Sequence, residues 1–501
     1  MSASFWGWHS NTAIFLAFVL SESFTAVLYH VVARRSAPRI RREAHDLDGQ
    51  EEQCSRLIGT HRRRRRTRRP SSRQSGSPPA VFILAPVGAS FGAWVVLGGL
   101  YLLGYAGGSW ERLAGFSEPA NLTLRSVVLL AFWYGGAVVS VSMVGWRLGT
   151  QSRPRATTVE LTASPMFERR YFFVILLAAT VGGIGYSLYQ IGSPLSIIAS
   201  LSAQTGNDLY SSLSNTASPT TLRYSTILAA PIGVYLWRRK LLAWPFMVLA
   251  VALLLMNAML AHRLSLLMAS VVYLAMWVRQ RTTTRRRSAK SSNRWIAIIA
   301  IGVVGFALLG ALNYFRNANY YRDAGVSNPR GNEPVSNGGA YLAVPAQVSI
   351  GVSDAVMSGA WHVASDPVDA LTAIEPTFLQ FEKVSKDNSW KRASVFGYSV
   401  KFAPNFFTVS VFADTYALYG TWGGWIYTFG LYGFAGYLLA RIVRYGTVIA
   451  GSAGVVAYCF SEMWRIQILS YGIVIYLLLL TIGSASSPVG APDARPDGPS
   501  R

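Results

Sequence analysis

The chain has 501 residues, 51% of them hydrophobic and only 14% charged, with a formal net charge of +23. A soluble domain carries roughly 25% charged residues, so the composition excludes an ordinary water-soluble enzyme and points to a multi-span membrane protein. Cys54 and Cys459 are the 2 cysteines of the chain, which excludes a disulfide framework and a cysteine-based metal site; no metal and no cofactor are expected.

Apolar runs near the roughly 20 residues that carry a helix across about 30 Å of hydrocarbon predict spans at 11–33, 80–105, 124–146, 171–191, 222–237, 241–260, 264–278, 295–315, 422–441, 446–461 and 466–483. The expected fold class is all-α: a polytopic membrane helical bundle of about 11 transmembrane helices, with one large external loop containing short helices. The first run, Asn11 to Val32, has Arg34 and Arg35 behind it and lacks both a basic front and a small-residue cleavage site. It is expected to remain as a span. The following loop, 34–79, holds HRRRRRTRRPSSR at 61–73 among Ser, Pro and Gly. Such a segment is expected either to be disordered and solvated, fixing orientation, or to bind anionic lipid headgroups or a partner.

Most of the 46 basic residues fall in alternate connections, namely 34–79, 147–170, 238–240, 279–294, 441–445 and the tail 484–501. The positive-inside rule puts this set in the cytoplasm, the N-terminus outside and the C-terminus inside. Charge distributed in this way orients a membrane protein, and no nucleic-acid partner is expected.

Spans two to eight, 80–315, form the main predicted bundle. Arg223, in TTLRYST, stands at the outer start of the fifth span. His262 and Arg263, in AMLAHRLSLLMA, interrupt the long apolar stretch from Leu241 to Val278. An Arg at a bilayer centre costs roughly 2.5–3.5 kcal/mol, so the stretch is expected to be two short helices with an external turn at 262–263. The helix beginning at Leu264 would aim its first amide groups at the same spot, and an Arg beside a helix N-terminus suits an anion. The plainer alternative has Arg263 reaching to outer headgroups and His262 bonded to a neighbouring carbonyl. Arg316 closes the eighth span in ALNYFRNANYYR, with Tyr314, Tyr320 and Tyr321 around it. Three guanidinium groups at one membrane face suit a phosphorylated lipid headgroup; unrelated interfacial anchors are the alternative.

The segment 316–421 is the large external loop. It opens with polar, Gly- and Asn-rich sequence carrying Arg316, Arg322 and Arg330, and continues with DPVDAL and EPTF, where acids precede prolines as at helix starts. Loops of this length in compact proteins are usually functional. At its end, APNFFTVSVFADTYALYGTWGGW predicts an interfacial or re-entrant helix over 405–419, begun by Pro404 and Asn405 and stopped by Gly420. Asp414 lies within it, where a carboxylate needs water, an Arg or substrate as partner. Spans nine to eleven, 422–483, and a disordered cytoplasmic tail complete the chain.

The order of these features resembles the Wzy-type oligosaccharide repeat-unit (O-antigen) polymerases. The resemblance rests on an Arg at an external turn before an apolar helix, an Arg after a later span, and a large external loop. It continues with an Asn-x-x-Thr segment that leads into Tyr-x-x-aromatic-Gly ahead of a Gly-rich span. Those last residues are Asn405, Thr408, Tyr416, Tyr419 and Gly420, followed by TWGGWIYTFGLYGFAGYLLARI. Leu418 stands where the family often has an acid. The resemblance covers about residues 170–480.

It implies a polysaccharide polymerase at the outer face of the bacterial cytoplasmic membrane, a metal-independent glycosyltransferase. The donor would be a growing glycan on polyprenyl diphosphate and the acceptor a sugar hydroxyl of the next lipid-linked repeat unit. A chain-length regulator and a flippase in the same membrane would be partners. Arg263 and Arg316 would stabilise the departing diphosphate, with Arg223 as a third cation. His262, Asp414 or Glu375 would accept the hydroxyl proton, unranked among themselves. Arg322, Asn405, Thr408 and Tyr416 complete the expected substrate-binding set.

Competing functions stay open. A ligase that moves finished glycan shares nearly the same architecture. A polyprenyl-phosphate-dependent glycosyltransferase would resemble its relatives in an acidic pair just after the first span, where this chain is Arg-rich. A flippase or transporter would place ionisable residues along a central path; Glu22 within a span and Glu462 near a span end are the candidates.

Overall fold

The computed structural model describes residues 123–133, 139–152, 156–191, 219–260, 264–283, most of 349–359, 411–466 and 472–486, with scattered positions between them. The chain separates into two units, Met1–Phe82 and Ile83–Arg501, and every element below belongs to the second. The described residues form helices and turns with no strand among them, in keeping with the all-α expectation. The Arg-rich run at 61–73 lies outside the described residues.

In chain order the helices are α1 Leu124–Ala131, α2 Ser140–Gln151, α3 Ala156–Thr162 and α4 Pro165–Leu177. A π-helical stretch, Ala178–Gly185, carries α4 into α5, Tyr186–Ile191. A 3-10 helix, Pro219–Ser225, leads into α6, Thr226–Arg238, followed by α7 Trp244–Leu260 and α8 Leu264–Thr283. The remaining helices are α9 Val411–Ile442, α10 Thr447–Gly451, α11 Ala453–Glu462 and α12 Gly472–Ser486. Local chemistry explains several starts. The Ser164 hydroxyl accepts from the Phe167 amide with Pro165 in the first turn, and Thr123 accepts from Ser126 at the head of α1.

The run Pro165–Tyr189, with mean hydropathy 1.8, is the one helix among the described residues long and apolar enough by itself to cross a bilayer. Trp244–Met259, Leu264–Gln280, Thr447–Glu462 and Gly472–Ser484 are apolar but shorter. α7 ends at Leu260 and α8 begins at Leu264; the turn expected at His262 and Arg263 lies outside the described residues.

One expectation is corrected. Gly420 does not stop a helix: α9 runs unbroken for 32 residues from Val411 to Ile442, and residues 405–410 of the helix expected over 405–419 lie outside the described residues. A glycine inside a helix costs about 1 kcal/mol relative to Ala, and the packing of α9 on α2 outweighs this. Gly145 of α2 lies against the Gly433 carbonyl, Gly149 against the Tyr437 carbonyl and Gly436 against the Ser142 carbonyl. Small residues at these steps let two parallel backbones touch, as in membrane helix pairs.

The interior is mainly apolar, with Trp133, Phe172, Ile227, Phe412 and Phe460 fully buried, and it also takes in Ser142, Ser225, Thr226, Asn257, Ser265 and Thr481. Large apolar side chains remain on the surface as well: Leu124, Val128, Leu177 and Trp244 are each more than half exposed.

The two ends of the bundle also differ. At one end Arg239 meets Glu168 at 2.9 Å, and Arg279 donates to the Arg444 carbonyl at 3.2 Å. There Arg444 donates to the carbonyls of Thr150 and Ser152, and the Gly446 amide donates to Thr162 at 3.1 Å. Described residues of four connections, Thr150, Ser152, Thr162, Arg239, Arg279 and Arg444, therefore meet at a single end. At the opposite ends of their helices lie the 3-10 helix before α6, the α7–α8 turn, the start of α9 and the end of α11. The helix at 349–355 packs on the head of α1, where Thr123 donates to Asp354 at 2.7 Å and Ser353 to the Ser126 carbonyl at 2.8 Å.

Candidate functional site

The π-helical stretch after α4 presses against the 3-10 helix before α6, and a Cβ at Gly183 would overlap the backbone of Arg223 and Leu222. Glycine is required there for the two segments to meet. π-type insertions in helices are frequent at functional sites, and here the insertion fixes the backbone from which the Arg223 side chain departs.

Arg223 is 3% exposed. Its Nη2 donates to the Tyr224 hydroxyl at 3.2 Å, and its guanidinium carbon lies 5.0 Å from the Tyr224 ring centre. Nε and Nη1 are buried and have no hydrogen-bond partner among the described residues. A guanidinium withdrawn from water with part of its donor fork unused costs several kcal/mol. Its fork matches a phosphate or carboxylate in shape and charge.

The Arg223 backbone is held by a chain of buried polar groups. Thr226 donates its hydroxyl proton to the Arg223 carbonyl at 2.8 Å, so toward Asn257 it acts only as an acceptor. Asn257 therefore turns its amide nitrogen to Thr226, at 3.1 Å, and the same nitrogen donates to Ser265 at 3.1 Å. Ser265 is the second residue of α8. The chain thus ties the turn bearing Arg223 to the first turn of the helix that follows His262 and Arg263. Asn257 Oδ1 has no partner among the described residues. Ser225 adds a 2.5 Å bond to the Tyr476 hydroxyl, fastening the same turn to α12.

A second polar cluster closes α11. Glu462 and Arg465 pair at 2.6 Å, and the Tyr458 hydroxyl donates to the other Glu462 oxygen at 2.9 Å. The Val411 amide, at the start of α9, donates to the Met463 carbonyl at 3.0 Å. Carboxylate and guanidinium satisfy one another, which marks this cluster as architectural.

Of the residues expected from sequence, Arg223 is described in full. His262, Arg263, Arg316, Arg322, Glu375, Asn405 and Thr408 lie outside the described residues. Asp414 and Tyr416 belong to the first two turns of α9, with only their backbone described. Thr226, Asn257 and Ser265 did not stand out in the sequence. The one available signal was an amide, Asn257, alone in WPFMVLAVALLLMNAML. No group of three or more metal-ligating side chains occurs among the described residues.

No family model matches the chain, and no curated protein or solved structure matches it either.

Proposed function

We propose that the chain is a membrane-embedded polymerase that joins polyprenyl-diphosphate-linked oligosaccharide repeat units at the outer face of the bacterial cytoplasmic membrane. The observation that carries this is Arg223, a buried guanidinium with two nitrogens unpaired among the described residues, tied through Thr226 and Asn257 to Ser265 in the first turn of α8, two residues after Arg263 in the chain. Two further features support a membrane setting: the large apolar side chains left exposed along the helices, and the meeting of Arg239, Arg279 and Arg444 at the end away from Arg223.

In the proposed reaction the acceptor hydroxyl oxygen bonds to the anomeric carbon of the growing chain. The bond from that carbon to the diphosphate oxygen breaks, and its electron pair leaves with the diphosphate. The hydroxyl proton passes to His262, Asp414 or Glu375. Arg223, Arg263 and Arg316 stabilise the charge that accumulates on the leaving group, the type of electrostatic contribution that dominates many transfer reactions. Arg322, Asn405, Thr408 and Tyr416 contact sugar or lipid.

Deleting the gene and resolving the surface glycan on a gel tests this. A polymerase loss leaves single-repeat products; loss of a flippase leaves none exported, and loss of a ligase leaves full-length polymer unattached. Complementation with Arg263→Ala or Arg316→Ala is expected to give single-repeat product only, and wild-type chain lengths from both variants would remove the diphosphate role.

A further inference from the structure

We infer a binding site for an anionic phospholipid of the inner leaflet on the outer face of α4 and α7, at the Arg239 end of the bundle. The inference rests on the chain being embedded in a membrane and is independent of the reaction it performs. The turn joining α6 to α7 forms a shallow, open depression of about 360 Å³ lined by Trp237, Lys240, Leu241, Leu242, Ala243 and Trp244. Both tryptophans are exposed, at 44% and 63%, and an indole at the edge of a helix suits the level of glycerol and ester groups. Lys240 holds a φ of 59°, a left-handed conformation that disfavours any residue with a Cβ. That conformation turns the chain so that an exposed ammonium stands over the pocket with no acid partner among the described residues.

Charge and shape around the pocket select the ligand. The Arg239–Glu168 pair brings the start of α4 beside the turn, and Arg169 and Arg170, the next two residues of α4, are exposed. Glu168 is the sole acid in α4, α6 and α7; it is buried and already engaged by Arg239. The rim is therefore cationic without exposed carboxylates from these helices. One turn further from the cations the surface becomes apolar. Phe173 meets Phe246 edge-on at 5.2 Å, joining α4 to α7, and Val174, Leu177 and Leu249 beside them are 58%, 63% and 41% exposed. Cations over a phosphate, indoles at the glycerol and a floor of apolar side chains along two helices match one lipid molecule bearing a negative headgroup.

The test uses the full chain reconstituted in phosphatidylcholine vesicles with increasing brominated phosphatidylglycerol, and in parallel with brominated phosphatidylcholine of the same acyl chains. The fluorescence missing from a Trp237→Phe/Trp244→Phe variant reports the site. Phosphatidylglycerol is expected to quench that component at a several-fold lower mole fraction than phosphatidylcholine. Lys240→Gly is expected to weaken the phosphatidylglycerol response about fivefold while leaving or raising the thermal unfolding midpoint, because glycine accepts the left-handed φ. Equal quenching by the two lipids, or an unchanged response in Lys240→Gly, overturns the site. So does an equal loss when Arg62 to Arg66 are replaced by Ala, since binding would then be diffuse adsorption. A chain that stays in the aqueous phase without detergent overturns the membrane setting itself, and this is seen before any lipid is added.

Discussion

Arg223 and Arg465 are both nearly inaccessible, at 3% and 8% exposure, yet they call for opposite accounts. Arg465 has its carboxylate, and Glu462 in turn has Tyr458. Breaking a buried pair by removing one member strands the other charge at a cost of roughly 3–5 kcal/mol. Glu462→Ala is therefore expected to lower the unfolding midpoint in detergent sharply, with Glu462→Gln, which keeps a hydrogen-bond acceptor for Arg465 and Tyr458, losing less. Among the described residues Arg223 has no such carboxylate. Replacing it with Met removes an uncompensated buried charge, so thermal unfolding is expected to shift upward or stay level. Chain extension on lipid-linked repeat units is expected to fall by about 10²-fold or more, the usual effect of deleting one preorganised donor to a leaving group or oxyanion. A variant that is both more stable and inactive is the signature of a charge kept for chemistry. An Arg223→Met protein that is destabilised and fully active would assign the residue to architecture.

Helices pair in this bundle through small residues, and glycines of similar appearance in the sequence have different duties. A Cβ at Gly145 would collide with the Gly433 carbonyl, whereas one at Gly430 meets nothing within 4 Å. Gly145→Leu is expected to separate α2 from α9 and abolish folded protein on fluorescence-detected size exclusion. Gly430→Ala is expected to be tolerated and to gain up to about 1 kcal/mol from helix propensity. The same contrast explains what the sequence revealed. The pause at His262 and Arg263 was legible because ionised groups cannot sit in mid-bilayer, and α7 and α8 end and begin around it. Gly420 misled because a glycine after a short amphipathic run is a local stop signal, while the length of α9 is decided by contacts with α2 far away in the chain. Arg223 was legible as a charge at a span edge. Its clamp was not, because Thr226, Asn257 and Ser265 are unremarkable singly and become a chain only when three helices pack.

At the scale of the whole molecule, sidedness decides whether the chemistry proposed is possible, since lipid-linked repeat units polymerise where they are exported. Connections that share an excess of Lys and Arg meet at one end through Arg239, Arg279 and Arg444, and each is followed or preceded by a helix leading to the Arg223 end. The proposed orientation puts this end in the cytoplasm and the Arg223 end outside. Lys240 and Ser358 are exposed residues of opposite sets, one from the basic turn and one from the long loop packed on the head of α1. In a Cys54→Ser background, where the other cysteine, Cys459, is buried, Ser358→Cys is expected to react with a membrane-impermeant maleimide on intact spheroplasts. Lys240→Cys is expected to react only after lysis. The reverse pattern would put Arg223 in the cytosol, where its unpaired guanidinium would have to serve a cytosolic anion, and the polymerase assignment would fall with the orientation.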